Sequence, residues 1–412
     1  MGKTIWIVTA LVMLAAPWAF PGGFALTLLT QMGTLIIFAL SYNMLLGQGG
    51  MLSFGHAVYS GLGAYITVHA LNAIGKSWGW VTPLPLLPLV GGFAGLAFGV
   101  IFGYVTTKKA GTTFAMISLG IGELVYACVL MFPGFFGGEA GISTNRTVGQ
   151  PLFGITFGPS IQVYYLVAAW CFACMVAMYA LTQTPLGRMA NAVRDNPERA
   201  EFVGYDTQKV RFLQLVLSAF FAGISGALSC INFEIVSAEN VSAIRSGGVL
   251  LAAFIGGIPF FFGPVIGAIV FIFFVAALSG FTKAWLLYLG LFFCIMVLYA
   301  PGGIASLFLM QIGLARAGRL RRMALPYALA AAAALVALAG LIGLVESVYR
   351  LSDVTSDPQM VLFGLELNAK DPAVWIGSGL LLACGLLAIR FASRTVVARW
   401  DAVQQELKGA SA

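Results

Sequence analysis

Three parts of the chain place polar groups where an otherwise apolar sequence should have none. The first is Glu123, near the middle of the apolar run 112–132. A lone charged group at the centre of a membrane helix costs on the order of 3 kcal/mol on insertion scales, so Glu123 is expected to face protein or a wet cavity, protonated or hydrogen-bonded. A hydrogen bond between helices, the lining of a solute path and the carriage of a coupling ion all fit it. The second part is 43–65, NMLLGQGGMLSFGHAVYSGLGAY, where glycines 47, 49, 50, 55, 61 and 63 stand among Gln48, Ser53 and His56. Glycine weakens a helix, and unwound backbone at membrane depth survives only inside protein or beside a cavity. The segment reads either as a pathway lining with Asn43, Gln48, Ser53 and His56 as its polar groups, or as a tight turn between two spans with His56 a satisfied donor. The third part is 184–211, TPLGRMANAVRDNPERAEFVGYDTQKVR, the most charged stretch in the chain. Asn196-Pro197 signals a helix start with Glu198 in its first turn, and Gly204 signals its stop, which predicts a helix of about seven residues lying outside the membrane.

Catalytic alternatives are weak. Gly223-Ile224-Ser225-Gly226 is similar to the serine motif of rhomboid proteases, but those place their histidine on a later helix, and the only histidines here, His56 and His69, precede the serine. Small residues packing helices together explain the pattern better. The sequence has no HExxH and no GxxxxGK, so no catalytic or metal-ligating residue is assigned, and any ATP that drives the protein is hydrolysed by another chain. The six cysteines fall within or beside apolar runs with no metal-ligand spacing and read as small buried hydrophobes.

The elements that hold these groups follow from composition. The 412 residues are 60% hydrophobic and 9% charged, where a soluble domain carries about 25% charged residues. This predicts an all-α polytopic membrane protein. Runs able to form helices of roughly 20 residues lie at 4–20, 26–46, 56–74, 86–106, 112–132, 161–181 and 212–231, with three more between 245 and 300 and two at 325–345 and 373–390, twelve in all. The first is expected to stay as a span rather than be cleaved, because Pro17, Trp18, Phe20 and Pro21 crowd the place where small residues would guide cleavage. Within 245–279 the stretch GGIPFFFGP interrupts a run too long for one helix and too short for two full ones. Taking that stretch in and back out puts 16 of the 22 lysines and arginines on one side, leaving Lys76, Arg146, Arg245, Lys283, Arg350 and Lys370 on the other. The positive-inside rule then makes both termini cytoplasmic. The net charge of +7 is a topology signal and a weak attraction to the headgroups of the bilayer, not a sign of nucleic acid.

Taken together, the motifs resemble those of the inner-membrane permease subunits of bacterial branched-chain amino-acid ABC transporters, in particular the M-type half of the usual pair. The resemblance covers about 26–308 and rests on Gly47–His56 (GQGGMLSFGH) with Gly63-Ala64-Tyr65, Phe114–Leu119 running on to Glu123, and Gly137–Gly141. Thr184–Arg188, Arg194-Asp195-Asn196-Pro197, Ala200-Glu201 and Pro301-Gly302-Gly303-Ile304 complete it. It implies a ten-span permease core that works with a second permease subunit, two peripheral ATPases that hydrolyse ATP with Mg, and a periplasmic binding protein that selects the ligand. It also implies that the cytoplasmic loop docks on the ATPase through Gly187, Arg188, Arg194, Asp195, Pro197, Glu198, Ala200, Glu201 and Gly204. The chain itself is then a transport subunit and not an enzyme, and holds no cofactor. An ion-coupled secondary transporter working without an ATPase is the alternative, although the chain offers few ionisable groups within its spans.

Beyond the core (1–308) the sequence adds a basic connector (309–324), a further transmembrane hairpin (325–390) with an acidic outer loop (346–372), and a tail (391–412). Phe391, Val396, Trp400, Val403 and Leu407 recur at helical spacing in that tail beside Arg390, Arg394 and Arg399, as in an amphipathic interfacial helix.

Overall fold

The computed structural model describes residues 3–75, 84–147, 155–316, 318, 320–352, 359–362 and 364–409. Among the described residues, sixteen α-helices follow in chain order: α1 Lys3–Ala19, α2 Gly23–Asn43, α3 Ala57–Gly75, α4 Leu87–Thr106, α5 Gly111–Met131, α6 Pro133–Phe136, α7 Ser160–Gln183 and α8 Pro185–Asp195. Then come α9 Pro197–Phe202, α10 Thr207–Phe233, α11 Ala243–Gly256, α12 Gly263–Ile272, α13 Trp285–Tyr299, α14 Gly303–Arg316, α15 Leu320–Ser352 and α16 Pro372–Gly409. Among the described residues the strands form two small antiparallel ribbons, β1 Ile142–Ser143 with β2 Ile235–Val236, and β3 Gln359–Leu362 with β4 Leu365–Asn368. The protein is an all-α polytopic membrane protein.

Among the described residues, eight helices are long and apolar enough to cross a bilayer, and α13 with α14 forms a bent pair that supplies a ninth. The other three expected runs differ from full apolar spans for separate reasons. α1 is short and carries Pro17, and α3 has Ser60, Thr67, His69 and Asn72 along it. α11 has 14 residues, about 21 Å of helix against a hydrocarbon core of roughly 30 Å. Between 245 and 279 the chain therefore runs along short α11, turns at 257–262, and returns through α12, which continues in a π turn and a 3₁₀ turn to Gly280.

By its internal contacts the chain divides into two units, 1–281 with 289–306, and 282–288 with 307–412. In the first, α10 is the central helix, with 18 of its 27 residues buried. Small residues let other backbones approach it. Gly91, Gly95, Gly99 and Gly103 of α4, four residues apart, face Leu215, Val216, Ala219, Gly223 and Ala227 of α10 so closely that a methyl group on Gly95 would meet the Ala219 carbonyl. Gly226 presses on the Ser60 carbonyl of α3, and Ser225 Oγ donates to the Thr34 carbonyl of α2 at 2.8 Å. The Gly223–Gly226 pattern is thus a helix-packing surface, and its serine is spent on a backbone acceptor.

In the second unit α15 and α16 pair through glycines. Gly340 and Gly343 abut Ser378, and Gly385 abuts Ala337. α16 runs through Arg390 without a break, so the expected tail is not a separate element. Its Val396 and Trp400 pack with Tyr327 on buried Met323, while Phe391 is exposed. Glu346 accepts hydrogen bonds from Thr282 Oγ1 (2.5 Å) and Tyr288 OH (3.3 Å). The side chains of Val403 and Leu407, and the residues Lys76, Asp353 and Asp357, lie outside the described residues. Of the six cysteines, Cys171, Cys174 and Cys230 are buried, Cys128 is half-buried, and Cys294 and Cys384 are exposed instead of buried as expected, because the helices carrying them have one uncovered face.

Candidate translocation and coupling site

Helix α2 does not end at Asn43. It widens into a π turn, Met44–Gln48, and gives way to eight residues of irregular backbone before α3 starts at Ala57. Single π turns inside helices cluster at functional sites, because the extra residue per turn releases backbone groups to outside partners. Here the backbone groups of the π turn and of the irregular stretch after it are taken up from four other helices. Gln214 Nε2 of α10 donates to the Met44 carbonyl at 2.8 Å, and Arg194 Nη1 of α8 donates to the Gly47 carbonyl. Ser118 Oγ of α5 accepts the Phe54 N–H at 3.1 Å, and Ser246 Oγ of α11 accepts the Ala57 N–H at 3.0 Å. Close approach explains the glycines: a methyl group on Gly55 would run into the Ser118 carbonyl, and Gly50 sits at φ 65° under the Arg194 side chain. The segment is irregular backbone enclosed by protein, not a tight turn.

Its polar side chains separate into two sets. Asn43, Ser53 and His56 are buried, and Gln48 is half-buried on the π turn. His56 Nε2 lies 3.1 Å from Ser41 Oγ, which itself donates to the Phe38 carbonyl at 2.7 Å, so the Nε2–H tautomer is the one that satisfies both. The imidazole stacks on Phe38, with ring centroids 5.5 Å apart, and meets Tyr42 and Tyr59 edge-on. Glu123 is not brought to this cluster. Its neighbour Gly122 faces Gly55, which turns Glu123 onto the exposed stripe of α5 with Met116, Gly120, Ala127 and Met131.

The charged loop is more structured than its punctuation indicates, and sequence reasoning missed one of its helices. α8 precedes the expected helix, with Thr184 Oγ1 accepting the Gly187 N–H at its start. α9 is the expected one, six residues long, with Asn196 Oδ1 accepting the Arg199 N–H at 2.9 Å, Pro197 in the first turn, and Glu198 beside the positive end of the helix dipole. Gly204 ends it at φ 92° in open space. Ala190, Val193, Ala200 and Val210 form a small core of their own with Leu186 and Met189.

The nine residues expected to couple therefore divide. Gly187 and Ala200 point inward, Gly187 with no room for a methyl group beside Leu181 and Thr182. Arg188, Asp195, Pro197, Glu198, Glu201 and Gly204 are exposed. Arg194 reaches back to Gly47 while its Nε and Nη2 hold Asp195 Oδ1 at 2.9 and 2.8 Å. Glu201 Oε1 accepts from Thr207 Oγ1 at 2.8 Å, tying α9 to the start of α10. Asp206 caps α10, and the N–H of Lys209, with the ammonium at 3.2 Å, holds its carboxyl below the ordinary value. An open groove of about 350 Å³ runs along α8 and α9 between Met189, Val193, Asn196, Arg199, Val203 and Tyr205, and Phe202 beside it is 90% exposed.

Two residues of this site were absent from the sequence reading, Gln214 and Ser246. Both look like ordinary polar positions on apolar helices, and only their partners reveal them.

The family model for the branched-chain amino acid transport system permease component matches residues 24–301. The chain is similar to the high-affinity branched-chain amino acid transport system permease protein LivM of Escherichia coli (strain K12), 27% identical over 72% of this chain and 73% of that protein. A probable branched-chain amino acid transport permease protein LivH of Methanocaldococcus jannaschii is 24% identical over 57% of this chain and 73% of its own length. The fructose import permease protein FrcC of Rhizobium meliloti is 26% identical over 44% and 53%. No solved structure gives a significant match.

Proposed function

The chain belongs to the branched-chain amino acid transport permease family, and from that premise we propose that it forms half of the translocation path of an ATP-driven importer, for branched-chain amino acids or related small polar or carboxylate solutes. Its partners in this reading are a second permease subunit, two peripheral ATPases that consume ATP and Mg, and a periplasmic binding protein. It sits in the bacterial inner membrane with both termini and the α8–α9 loop on the cytoplasmic side, where most of its lysines and arginines are concentrated. The fructose permease among its relatives means that membership leaves the solute open, and the binding protein carries much of that choice.

The observation that supports coupling to a separate ATPase is the single side chain of Arg194. It belongs to the exposed α8–α9 unit and bonds the backbone of the glycine-rich segment, so a displacement of that unit has a direct path to irregular backbone between spans. The groove and the exposed Phe202 supply an apolar docking face on the same unit.

The test is the double variant Glu201→Lys with Gly204→Val. Lysine loses the bond to Thr207 and inverts the charge, and valine is strained at φ 92°. The variant is expected to insert and pair with the second permease but to lose ATPase association or to separate hydrolysis from uptake. Wild-type import with wild-type ATPase stimulation would remove this loop from the coupling path. Ion-driven accumulation by the chain alone in proteoliposomes would favour a secondary transporter.

A further inference from the structure

Helix α11 is capped by Ser242, whose Oγ accepts the Arg245 N–H at 3.2 Å, so the Arg245 side chain projects from the first turn, where the helix dipole is positive. Its guanidinium is oriented by neutral groups. Nη1 donates to Asn240 Oδ1 at 2.7 Å, Nη2 reaches Ser229 Oγ at 3.5 Å, and Cζ lies 5.9 Å from the centre of the Phe38 ring. Ion pairs join Arg146 to Glu234, Arg194 to Asp195 and Lys209 to Asp206, and none of these includes Arg245. Glu123, on the helix that packs against the turn 238–241, faces away from the chain and is not paired with it.

A guanidinium carries five N–H donors, and two of these five are occupied by neutral acceptors. Arginine among membrane helices ordinarily pairs with an acid or opens onto water, and its planar fork matches a carboxylate in a two-bond grip. Arg245 as a residue is half-buried, not part of the closed core. It also adjoins the enclosed polar cluster. Ser246, the next residue, holds the Ala57 N–H beside His56, and Phe38 is shared between the His56 ring and the guanidinium.

Building on the transport reading above, we infer that Arg245 receives the carboxylate of the solute during passage, gripping it with the N–H donors that Asn240 and Ser229 leave free. Asn240 and Ser229 are positioning residues in this arrangement. They fix the plane of the fork without neutralising it.

The full-length chain in detergent is titrated with isovalerate, a branched carboxylate lacking the amine, and with isoamylamine, which keeps the skeleton and amine but lacks the carboxylate. Thermal unfolding is followed for each. Isovalerate is expected to raise the melting temperature of the wild-type chain and isoamylamine to leave it unchanged, with the isovalerate response lost in Arg245→Gln and weakened in Arg245→Lys. In the assembled importer, Arg245→Gln should lower leucine uptake by roughly ten-fold or more while the complex still assembles. A purely structural arginine would lower the melting temperature of the variant yet leave the isovalerate response intact, and that result overturns the inference. Wild-type leucine uptake by Arg245→Gln overturns it as well. If the Gln variant does not fold, Arg245→Lys decides, since an isovalerate response equal to wild type in that variant excludes a two-bond grip. An importer that carries no carboxylate solute, with the Arg245-dependent isovalerate response still present in the chain, would defeat the transport reading and leave the site standing.

Discussion

Arg194, on a helix outside the apolar spans, donates a hydrogen bond to the backbone carbonyl of Gly47, 147 residues earlier, at the end of a transmembrane helix. The carbonyl is available because the π turn Met44–Gln48 breaks the regular ladder, and the side chain can lie across it because Gly50 has no Cβ. A charge-assisted bond of this kind is stronger than one between neutral groups, so the contact is a stiff link between the charged loop and the glycine-rich segment.

Removing either side of that link should uncouple the two. Arg194→Gln is expected to leave the chain inserted while uptake per ATP hydrolysed falls. Gly50→Ala should do the same and also cost about 1 kcal/mol of stability, because alanine is disfavoured at φ 65°. Parallel uptake and hydrolysis assays on the reconstituted complex check both. A normal ratio in both variants would show the contact to be passive.

The glycine seams predict which positions tolerate size. Gly226→Ala places a methyl group against the Ser60 carbonyl in a fully packed seam, so a loss of about 1–3 kcal/mol is expected. Gly120→Ala, with nothing within 4 Å in the isolated chain, should leave the detergent-solubilised chain as stable or slightly more stable. Melting temperatures of the two purified variants, compared side by side, give the answer.

The Asp206 cap gives the start of α10 a defined pH response. Its carboxyl is held low in the folded chain by the Lys209 N–H and ammonium, so it binds a proton less readily there than when unfolded. The cap is thus fully present above the ordinary Asp value of about 4 and is lost as pH falls through the lowered one. Hydrogen exchange at the amides of 207–210, corrected for intrinsic rates, should show protection steady from neutral pH down to about 5 and fading below 4. Asp206→Asn should flatten that dependence.

Glu123 lies on the exposed face of α5, so its effect should appear in the assembled transporter rather than in the folding of the isolated chain. Glu123→Gln is expected to fold and keep part of its transport, and Glu123→Leu to fold and keep less. Near-complete loss in a normally expressed Gln variant would point to an ionised carboxylate.

Much of this molecule is written locally. Apolar runs of about 20 residues define most of the spans, and Asn196-Pro197 with Gly204 brackets α9 to within a residue or two, because caps and hydrophobic length act over a few neighbours. The glycine-rich stretch 47–63 stood out in the sequence as a place where a helix would fail. What filled the gap was not legible. Gln214, Arg194, Ser118 and Ser246 reach it from four other helices, and no local pattern marks a polar side chain as the partner of a carbonyl or N–H that far along the chain. The same holds for Glu123 and Arg245. Hydropathy flags both as charges within or beside apolar runs, but whether a charge is enclosed, paired or left facing outward depends on how neighbouring helices pack. Here the contact of Gly122 with Gly55 turns Glu123 outward, and Asn240 and Ser229 hold Arg245 half-buried, so tertiary packing decided the surroundings of charges whose presence the sequence alone had determined.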